Sequence, residues 1–499
     1  MLLNIFRKKY DHPLADIKAV HALIEKLPKK DAYQSLMELS EWVESVADNT
    51  DFKLDHQYAV LRLLDEAVQP FAQRLARDYF TIQESNKYYE NRLWLVLGNL
   101  YRHTTRAYCA VFNRYCNGDK QAHAITAQVP QLAAHAVYSM TWQLKYVCAH
   151  YGSIDMAVWS ELARIYRHAE QQNYLDAPLE LSFSASGGAT LKQQIAHLLG
   201  WYGCGVDTLS ALYMHLTERI VAQHCADIYL GPQQDATSLF SFDLERPSAP
   251  LRVKADSIAL LSTRFVSMTP ILPKFESLIA SLEANTVPDN FDLAGTFEAK
   301  HVLDAAKFLQ GYLIEPPVRR SARRKIDKVT LSVVNGLDAV LGCAEAGSDE
   351  KLTDSWEIDD VSLSGFSTQL SEKRSVDLRI GSLFGVRPEG VAYWGVAVAR
   401  RLIRDSKKQL NVGVEILANR FTVATLSQRG ESASEHAVLW LKTEESASSG
   451  EVRLLMKSGT FSTQAGQTLQ AEGNSYSLAV VALQEMGPEY DLAIFRIAE

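Results

Sequence analysis

The hydrophobic pattern of this 499-residue chain changes its period at the double proline Pro316-Pro317. Upstream, apolar residues recur at the spacing of an α-helix face, for example over residues 17–27 and 61–75. Downstream, over residues 329–333 and 412–416, they alternate with polar residues at the two-residue period of a strand. Proline ends a helix because it has no amide hydrogen to donate. We therefore expect a multidomain protein in which a large all-α N-terminal domain precedes an all-β region.

The length and composition of the chain support this division. A chain of 499 residues exceeds what one hydrophobic core usually organises. Hydrophobic residues at 47% and charged residues at 22% are typical of a soluble globular protein. The domains that we predict are an α-helical domain over residues 1–315, a Pro/Arg linker over 316–328, a small β-barrel over 329–428, and a β-rich extension or second small barrel over 429–499.

Within these domains the periodicity predicts individual elements. Helices are expected over 91–115, 131–150, 154–171, 191–229 and 301–312, with a short strand at 238–244 and helices resuming near Ser257 and Lys274. Barrel strands are expected over 356–361, 376–380, 391–401, 411–417 and 420–426. Further strands are expected over 438–441, 452–457, 477–483 and 491–497.

The net charge and the cysteines indicate which classes of ligand the protein binds and in which compartment it works. The net charge of −8 argues against a surface built for a nucleic-acid polymer, although a local basic patch can bind phosphate. The six cysteines form no CxxC pair, which favours buried, reduced thiols. No apolar run is long enough to cross a bilayer, and residues 1–10 lack the pattern of a secretory signal. We therefore expect a cytoplasmic protein without a transmembrane segment.

A basic segment follows the double proline and contrasts with the acidic chain around it. It contains Arg319, Arg320, Arg323 and Arg324, followed by Lys325. A guanidinium offers forked donors that match phosphate oxygens or the O6/N7 edge of guanine, and its planar face stacks on a base. Taken alone, such a run is also typical of a solvated connector.

A second polar pattern lies downstream, at the end of a predicted strand. Asp360, Ser362 and Gly365 form a D-x-S-x-x-G pattern. An aspartate accepts hydrogen bonds from the N1 and N2 donors of guanine, a serine hydroxyl adds a polar contact, and a glycine allows close approach of a ligand. The same pattern also occurs as an ordinary connection from a strand to a turn.

The two patterns in this order resemble the PilZ family of cyclic di-GMP receptors, which carry R-x-x-x-R ahead of [D/N]-x-S-x-x-G on a small β-barrel. The resemblance covers about residues 318–426 and extends to segments 394–402 and 412–416, which look like later barrel strands. It implies cyclic di-GMP as the ligand, with no cofactor, and seven ligand-binding residues: Arg319, Arg320, Arg323, Arg324, Asp360, Ser362 and Gly365. The arginine motif fits in two registers, Arg319 with Arg323 or Arg320 with Arg324.

Motifs of enzymes and metal sites do not stand out in the sequence. It has no HExxH, no Cys/His group at zinc spacing, no G-x-S-x-G elbow and no Walker sequence. The sequence also offers no cluster of titratable residues in the helical part that would indicate a catalytic site. We therefore expect a protein that is not an enzyme, with no catalytic or metal-binding residues.

The expected function is that of a bacterial-type second-messenger effector. Cyclic di-GMP would bind between the arginine linker and the turn at residues 360–365, and would change the orientation of the helical domain or its binding of a partner protein. The alternative is a protein-interaction scaffold whose PilZ-like barrel has lost nucleotide binding.

Overall fold

The fold divides into two compact units. A computed structural model describes residues 12–81, 87–179, 189–254, 259–289, 291–315, 324–345, 353–362, 364–371, 378–405, 407–428, 434–442, 450–463 and 467–498. One unit comprises Met1–His150 and Ile154–Pro317, and the other comprises Val318–Glu499 together with Tyr151–Ser153. We call them the helical unit and the barrel unit, and describe each by itself.

Amphipathic helices build most of the helical unit. Their bounds are α1 Ile17–Lys26, α2 Ala32–Ala47, α3 Leu54–Thr81, α4 Lys87–Cys116, α5 Val129–Ala149, α6 Met156–Gln171, α7 Leu191–Gly203, α8 Ala211–Gln223, α9 Leu272–Glu283 and α10 Ala299–Ile314. Aspartates cap the first two helices: Asp16 accepts from the amide of Lys18, and Asp31 accepts from the amide of Gln34. Each cap satisfies a donor that the first helical turn leaves unpaired.

The central helices α4 and α5 bury apolar and aromatic side chains on several faces. The ring of Tyr101 on α4 stacks on Trp142 and Tyr146 of α5, with centroids 5.3 and 5.8 Å apart. Burying one large apolar side chain contributes about 1.5–3 kcal/mol, so this aromatic core is a large part of what holds the helices together. The stripe predicted over residues 61–75 lies on α3, where Leu61, Leu64 and Val68 are buried.

A four-stranded antiparallel sheet interrupts the helices of this unit. Its strands are β1 Tyr229–Gly231, β2 Phe240–Asp243, β3 Leu251–Arg252 and β4 Thr263–Ser267, in the order β1-β4-β2-β3. The strand predicted at 238–244 corresponds to β2. One helical prediction near the sheet is wrong: the stretch 191–229 is two helices separated at Gly205, whose φ of 73° a helix does not accommodate. Of the helices predicted to resume near Ser257 and Lys274, Ser257 lies outside the described residues, and Lys274 lies in α9.

Six antiparallel strands close the first barrel. They are β5 Arg324–Asn335, β6 Asp354–Ser362, β7 Gly365–Leu370, β8 Leu383–Pro388, β9 Gly395–Arg404 and β10 Leu410–Ala418, in the closed order β10-β7-β6-β5-β8-β9. Alternate side chains point inward and fill the barrel, among them Leu331, Trp356, Phe366, Phe384 and Val412. The other side chains of each strand face outward.

The first barrel contains a helix between β5 and β6, and its strand β8 lies later in the chain than the strand predicted there. Helix α11 (Leu337–Glu345) follows β5. The strand predicted at 376–380 is absent from residues 378–380, and residues 372–377 lie outside the described part. Leu378 is nevertheless buried in the barrel core, which explains its apolar pattern. The strand of this region is β8, whose Gly385 and Pro388 are typical of turns rather than strands.

A second six-stranded barrel follows directly. Its strands are β11 Arg420–Gln428, β12 Ser434–Lys442, β13 Glu451–Lys457, β14 Gln467–Ala471, β15 Asn474–Met486 and β16 Tyr490–Ile497, in the closed order β11-β12-β13-β16-β15-β14. Of the two alternatives for the last segment, the structure has the second barrel. Strand β11, which the strand pattern groups with the first barrel, pairs with β12 and β14 of the second.

One hydrophobic cluster joins the two barrels. It contains Val340 of α11, Val398 of β9 and Leu417 of β10, packed with Leu439 of β12 and Leu492 of β16. All five side chains are buried. The predicted fold class is confirmed: a helical N-terminal part, which also holds the small sheet, precedes two β-barrels.

Candidate ligand-binding site

A β-bulge in β6 sets the direction of the aspartate in the D-x-S-x-x-G pattern. Ile358 pairs with Thr368 of β7, and Asp360 pairs with the next residue, Ser367, so Asp359 is the extra residue. Val361 packs against the barrel core. Because successive side chains of a strand alternate, the side chains on either side of Val361 face outward. Asp360 and Ser362 therefore share the outer face of the barrel.

The turn from β6 to β7 brings Ser362 opposite Gly365. The Ser362 hydroxyl donates to the carbonyl oxygen of Gly365 over 3.2 Å. A Cβ atom at position 365 would lie 2.0 Å from the carbonyl oxygen of Val414 on β10. Only glycine therefore fits at this position. Its first role is to let β10 approach the turn, whatever contact it also makes with a ligand.

The arginine run is only partly within the described residues. Arg319, Arg320 and Arg323 lie outside them, whereas Arg324 is the first residue of β5. The backbone of Arg324 pairs with Val361, and that of Lys325 pairs with Asp360. The end of the basic run thus runs alongside the strand that carries Asp360 and Ser362.

The outer face around these residues is acidic. Strand β6 carries three carboxylates within four positions, at Glu357, Asp359 and Asp360. Glu415 of β10, which pairs with Gly365, adds a fourth. Burial, together with repulsion from Asp360 and Glu357, raises the pKa of Asp359 above its usual value. A ligand with two phosphates would meet repulsion on this face unless cations accompany it.

An ionic contact links the edge of this face to the second barrel. The Arg400 guanidinium of β9 donates to Glu415 over 2.7 Å and to both carboxylate oxygens of Glu485 on β15. The hydroxyl of Tyr490 donates to Glu485 over 2.6 Å. Burial alone would raise the pKa of Glu485, but its hydrogen bond and attraction to Arg400 lower it.

The helical unit contains a buried cluster of charged side chains that sequence reasoning missed. The Lys145 ammonium on α5 lies 2.5 Å from Oε2 of Glu218 on α8 and 3.0 Å from Nδ1 of His215. The other Glu218 oxygen is 2.9 Å from Nε2 of His197 on α7. The Lys145 ammonium also lies 4.0 Å from the centre of the Trp142 ring.

The protonation states in this cluster follow from its burial. Burial lowers the pKa of Lys145 to about 8, although attraction to Glu218 opposes the shift. Burial would raise the pKa of Glu218, but Lys145 and Arg219 hold it well below its usual value. Nδ1 of His215 accepts from Lys145 while Nε2 donates to the carbonyl oxygen of Leu293, as in a neutral imidazole. Lys145, Glu218 and His215 satisfy one another, which is the arrangement of a structural ion pair.

A second buried polar group joins α3, α4 and α5. Asp65 accepts from the hydroxyl of Tyr108 over 2.6 Å and from the side-chain amide of Gln69 over 3.0 Å, and lies 3.2 Å from Nδ1 of His135. Helical spacing predicts which face of each helix is buried, but it does not show which polar side chains of different helices meet. A charged residue inside an otherwise apolar stripe, such as Lys145 or Asp65, was the available signal.

Membrane-spanning helices and metal-binding groups are absent from the described residues. In that part of the chain, no helix has both the length and the apolar character needed to span a bilayer. Among the same residues, no group of three or more histidine, cysteine, aspartate or glutamate side chains is placed to hold a metal ion. All six cysteines are free thiols.

Comparison with protein families gives one match. Residues 18–233, within the helical unit, match the family described as the N-terminal domain of the cyclic-di-GMP receptor FimW. The match covers less than half of the chain and does not include either barrel. Searches of curated proteins and of solved structures found no match.

Proposed function

We propose that this protein is a cytoplasmic effector that binds cyclic di-GMP and is not an enzyme. The observation that carries the proposal is that two separate parts of the chain point to the same ligand. Residues 18–233 match the N-terminal domain of a cyclic-di-GMP receptor, and the first barrel independently carries the PilZ-like residues Asp360, Ser362 and Gly365. The six free thiols fit a reducing compartment.

The architecture of the first barrel supports a PilZ-like assignment. The resemblance implies a small barrel with the D-x-S-x-x-G pattern at the end of one strand and the arginines ahead of the barrel. The closed barrel begins at Arg324, and the pattern spans the turn from β6 to β7. The pairing of Lys325 with Asp360 is compatible with one ligand reaching both motifs.

The proposed contacts follow from the chemistry of the two motifs. Asp360, on the outer face, accepts from N1 and N2 of guanine, and Ser362 adds a hydroxyl contact. The arginines at 319, 320, 323 and 324 supply charge to the phosphates and stack on the bases. This division of roles fits the acidic face, because β6 carries carboxylates where the ligand brings negative charge.

We propose that ligand binding affects the helical unit through the linker. Arginines held by the ligand would restrict residues 316–323, and this restriction would change the orientation of the helical unit or its affinity for a partner protein. A ligand shifts such an equilibrium only through its differential affinity for the two states. Small-angle scattering of the full chain with and without cyclic di-GMP measures the change in orientation.

Isothermal titration of the full chain with cyclic di-GMP tests the proposed function. Wild type should bind. The affinities of two double variants, Arg319→Ala/Arg323→Ala and Arg320→Ala/Arg324→Ala, are each compared with that of wild type to identify which arginine register binds the ligand. Arg496→Gln in the second barrel, whose side chain is 62% exposed, is the matched control and should bind as wild type does. Absence of binding by wild type would refute the proposal and favour the scaffold.

A further inference from the structure

Strand pairing places a row of residues across the outer face of the first barrel. Lys325 pairs with Asp360, Asp360 with Ser367, Ser367 with Gly413, and Gly413 with Arg401. We call these five residues the outer row. Neighbouring pairs, which include Phe366 with Val414, belong to the buried core, so Asp360, Ser367, Gly413 and Arg401 lie on the opposite, solvent side.

Two glycines, Gly365 of β7 and Gly413 of β10, leave positions without a side chain on the outer face between β6 and β9. Gly365 is required by the close carbonyl oxygen of Val414, as described above. Gly413 is less crowded: a Cβ atom there would lie 3.2 Å from the Arg401 Cβ, which would have to shift slightly, and no other atom would be closer than 3.8 Å. Because it has no side chain, Gly413 leaves a notch in the outer row between Ser367 and Arg401, where a β-branched residue would be the ordinary choice in a strand.

A bulge in β9 separates the roles of its two neighbouring arginines. The register shifts between Gly413 and Val414, which pair with Arg401 and Ala399, so Arg400 is the extra residue. Arg400 binds Glu415 and Glu485 and so connects to the second barrel. Arg401 takes the position in the outer row, directly beside the notch.

From this arrangement we infer that Arg401 is a further ligand-binding residue, which contacts a phosphate of the dinucleotide across the notch at Gly413. The inference rests on the proposed function. Three strand spacings separate Asp360 from Arg401, roughly 14 Å across the face. A ligand whose guanine is held at Asp360 would therefore extend over the side-chain-free notch toward the guanidinium.

The charge of the face supports this role for Arg401. The ligand's phosphates would lie near Asp359 and Asp360, which repel them. Arg401 lies on β9, at the opposite end of the outer row from Lys325, so it would place a positive charge beside a phosphate that lies over the notch. A guanidinium suits this contact because it donates two parallel hydrogen bonds to a phosphate.

Isothermal titration of full-chain variants tests the inference. Arg401→Gln is expected to weaken cyclic di-GMP binding by about tenfold or more, with an unchanged melting temperature. Arg401→Lys should be intermediate because it keeps the charge and loses the fork. Gly413→Val should also weaken binding, since it fills the notch without changing charge. Arg496→Gln serves as the arginine control.

The outcomes separate this inference from the proposed function. If wild type binds and Arg401→Gln binds equally well, the role of Arg401 is refuted while the proposed function stands. If Arg401→Gln only lowers the melting temperature and leaves the dissociation constant unchanged, its role is structural and the inference is again refuted. Should Arg401→Gln fail to fold, Arg401→Lys and Gly413→Val decide the question. Absence of binding by wild type would overturn both.

Discussion

The two terminal nitrogens of Arg400 lie 2.5 and 2.7 Å from the two carboxylate oxygens of Glu485, a bidentate contact between one barrel and the other. Arg400 belongs to β9 and Glu485 to β15, so no strand pairing joins them. Glu415, opposite Gly365 in the candidate site, shares the same guanidinium.

Removing this contact should lower the stability of the barrel unit. Arg400→Ala leaves the partly buried carboxylate of Glu485 without its cation, so we expect the free energy of unfolding to fall by about 1–2 kcal/mol. Urea denaturation followed by tryptophan fluorescence measures the change. Arg496→Ala, which removes a more exposed ion pair with Glu451, should change it by less than about 0.5 kcal/mol. Equal effects of the two variants would contradict the prediction.

The buried pair Lys145 and Glu218 should be far more sensitive than a surface pair. Glu218→Gln leaves the Lys145 ammonium without its countercharge, and we expect a loss of about 3–5 kcal/mol. Far-ultraviolet circular dichroism during urea denaturation follows the helices. The exposed pair Lys307 and Glu283 provides the control, Glu283→Gln, with an expected change below about 1 kcal/mol. A loss below 1 kcal/mol for Glu218→Gln would show that the pair is not desolvated as described.

Acid should destabilise the helical unit. Burial lowers the pKa of His215 and of His135 below 6.5, so the unfolded chain binds protons that the folded chain does not. The lowered pKa values of Glu218 and Asp65 act with the same sign at lower pH, because the stability they contribute is lost as these carboxylates are protonated. The melting temperature should therefore fall from about pH 6.5 downward, and a constant value between pH 7 and 4.5 would contradict this.

Gly365 should be required for the full stability of the first barrel. Gly365→Ala places a Cβ atom against the carbonyl oxygen of Val414, and we expect a loss of about 1–3 kcal/mol or more. Gly342→Ala is the control, since nothing lies within 4 Å of its added Cβ and it sits in α11. That change should stabilise slightly. Thermal unfolding compares the two, and a neutral Gly365→Ala would contradict the close packing.

Asp360 should determine the choice of base. Asp360→Asn replaces a carboxylate that accepts from both N1 and N2 of guanine by an amide that accepts through one oxygen only. Wild type should prefer cyclic di-GMP to cyclic di-AMP, since adenine lacks these two donors, and the variant should lose about tenfold of that preference. Competition titrations with the two dinucleotides measure it. Equal preference in wild type and variant would place guanine recognition elsewhere.

Periodicity predicted elements well where one face of an element is buried. The helical face at residues 61–75 and the strands β12, β13, β15 and β16 follow directly from apolar spacing. It failed at β8, where Gly385 and Pro388 are typical of turns, at β7, which follows directly on the turn at Gly365, and at the short strands β1, β3 and β14. The pattern of one strand also does not tell which strand it pairs with, so β11 was grouped with the wrong barrel.

The residues of the candidate site were likewise predictable only in part. The sequence alone indicated Asp360, Ser362 and Gly365 because their spacing is a pattern within one segment. It could not indicate Arg401, because its place beside Gly413 depends on strand register across four strands and on a bulge. The contacts of Lys145 likewise join helices that are distant in sequence.

The hydrophobic cluster shared by the two barrels limits how this protein can be dissected. A shortened chain that ends at Ala418 would expose Val398 and Leu417 to water, together with Val340 of α11, and such a surface favours aggregation. A version that begins at Arg420 would expose Leu439 and Leu492 in the same way. A fragment for crystallisation or for titration with a nucleotide therefore has to keep both barrels.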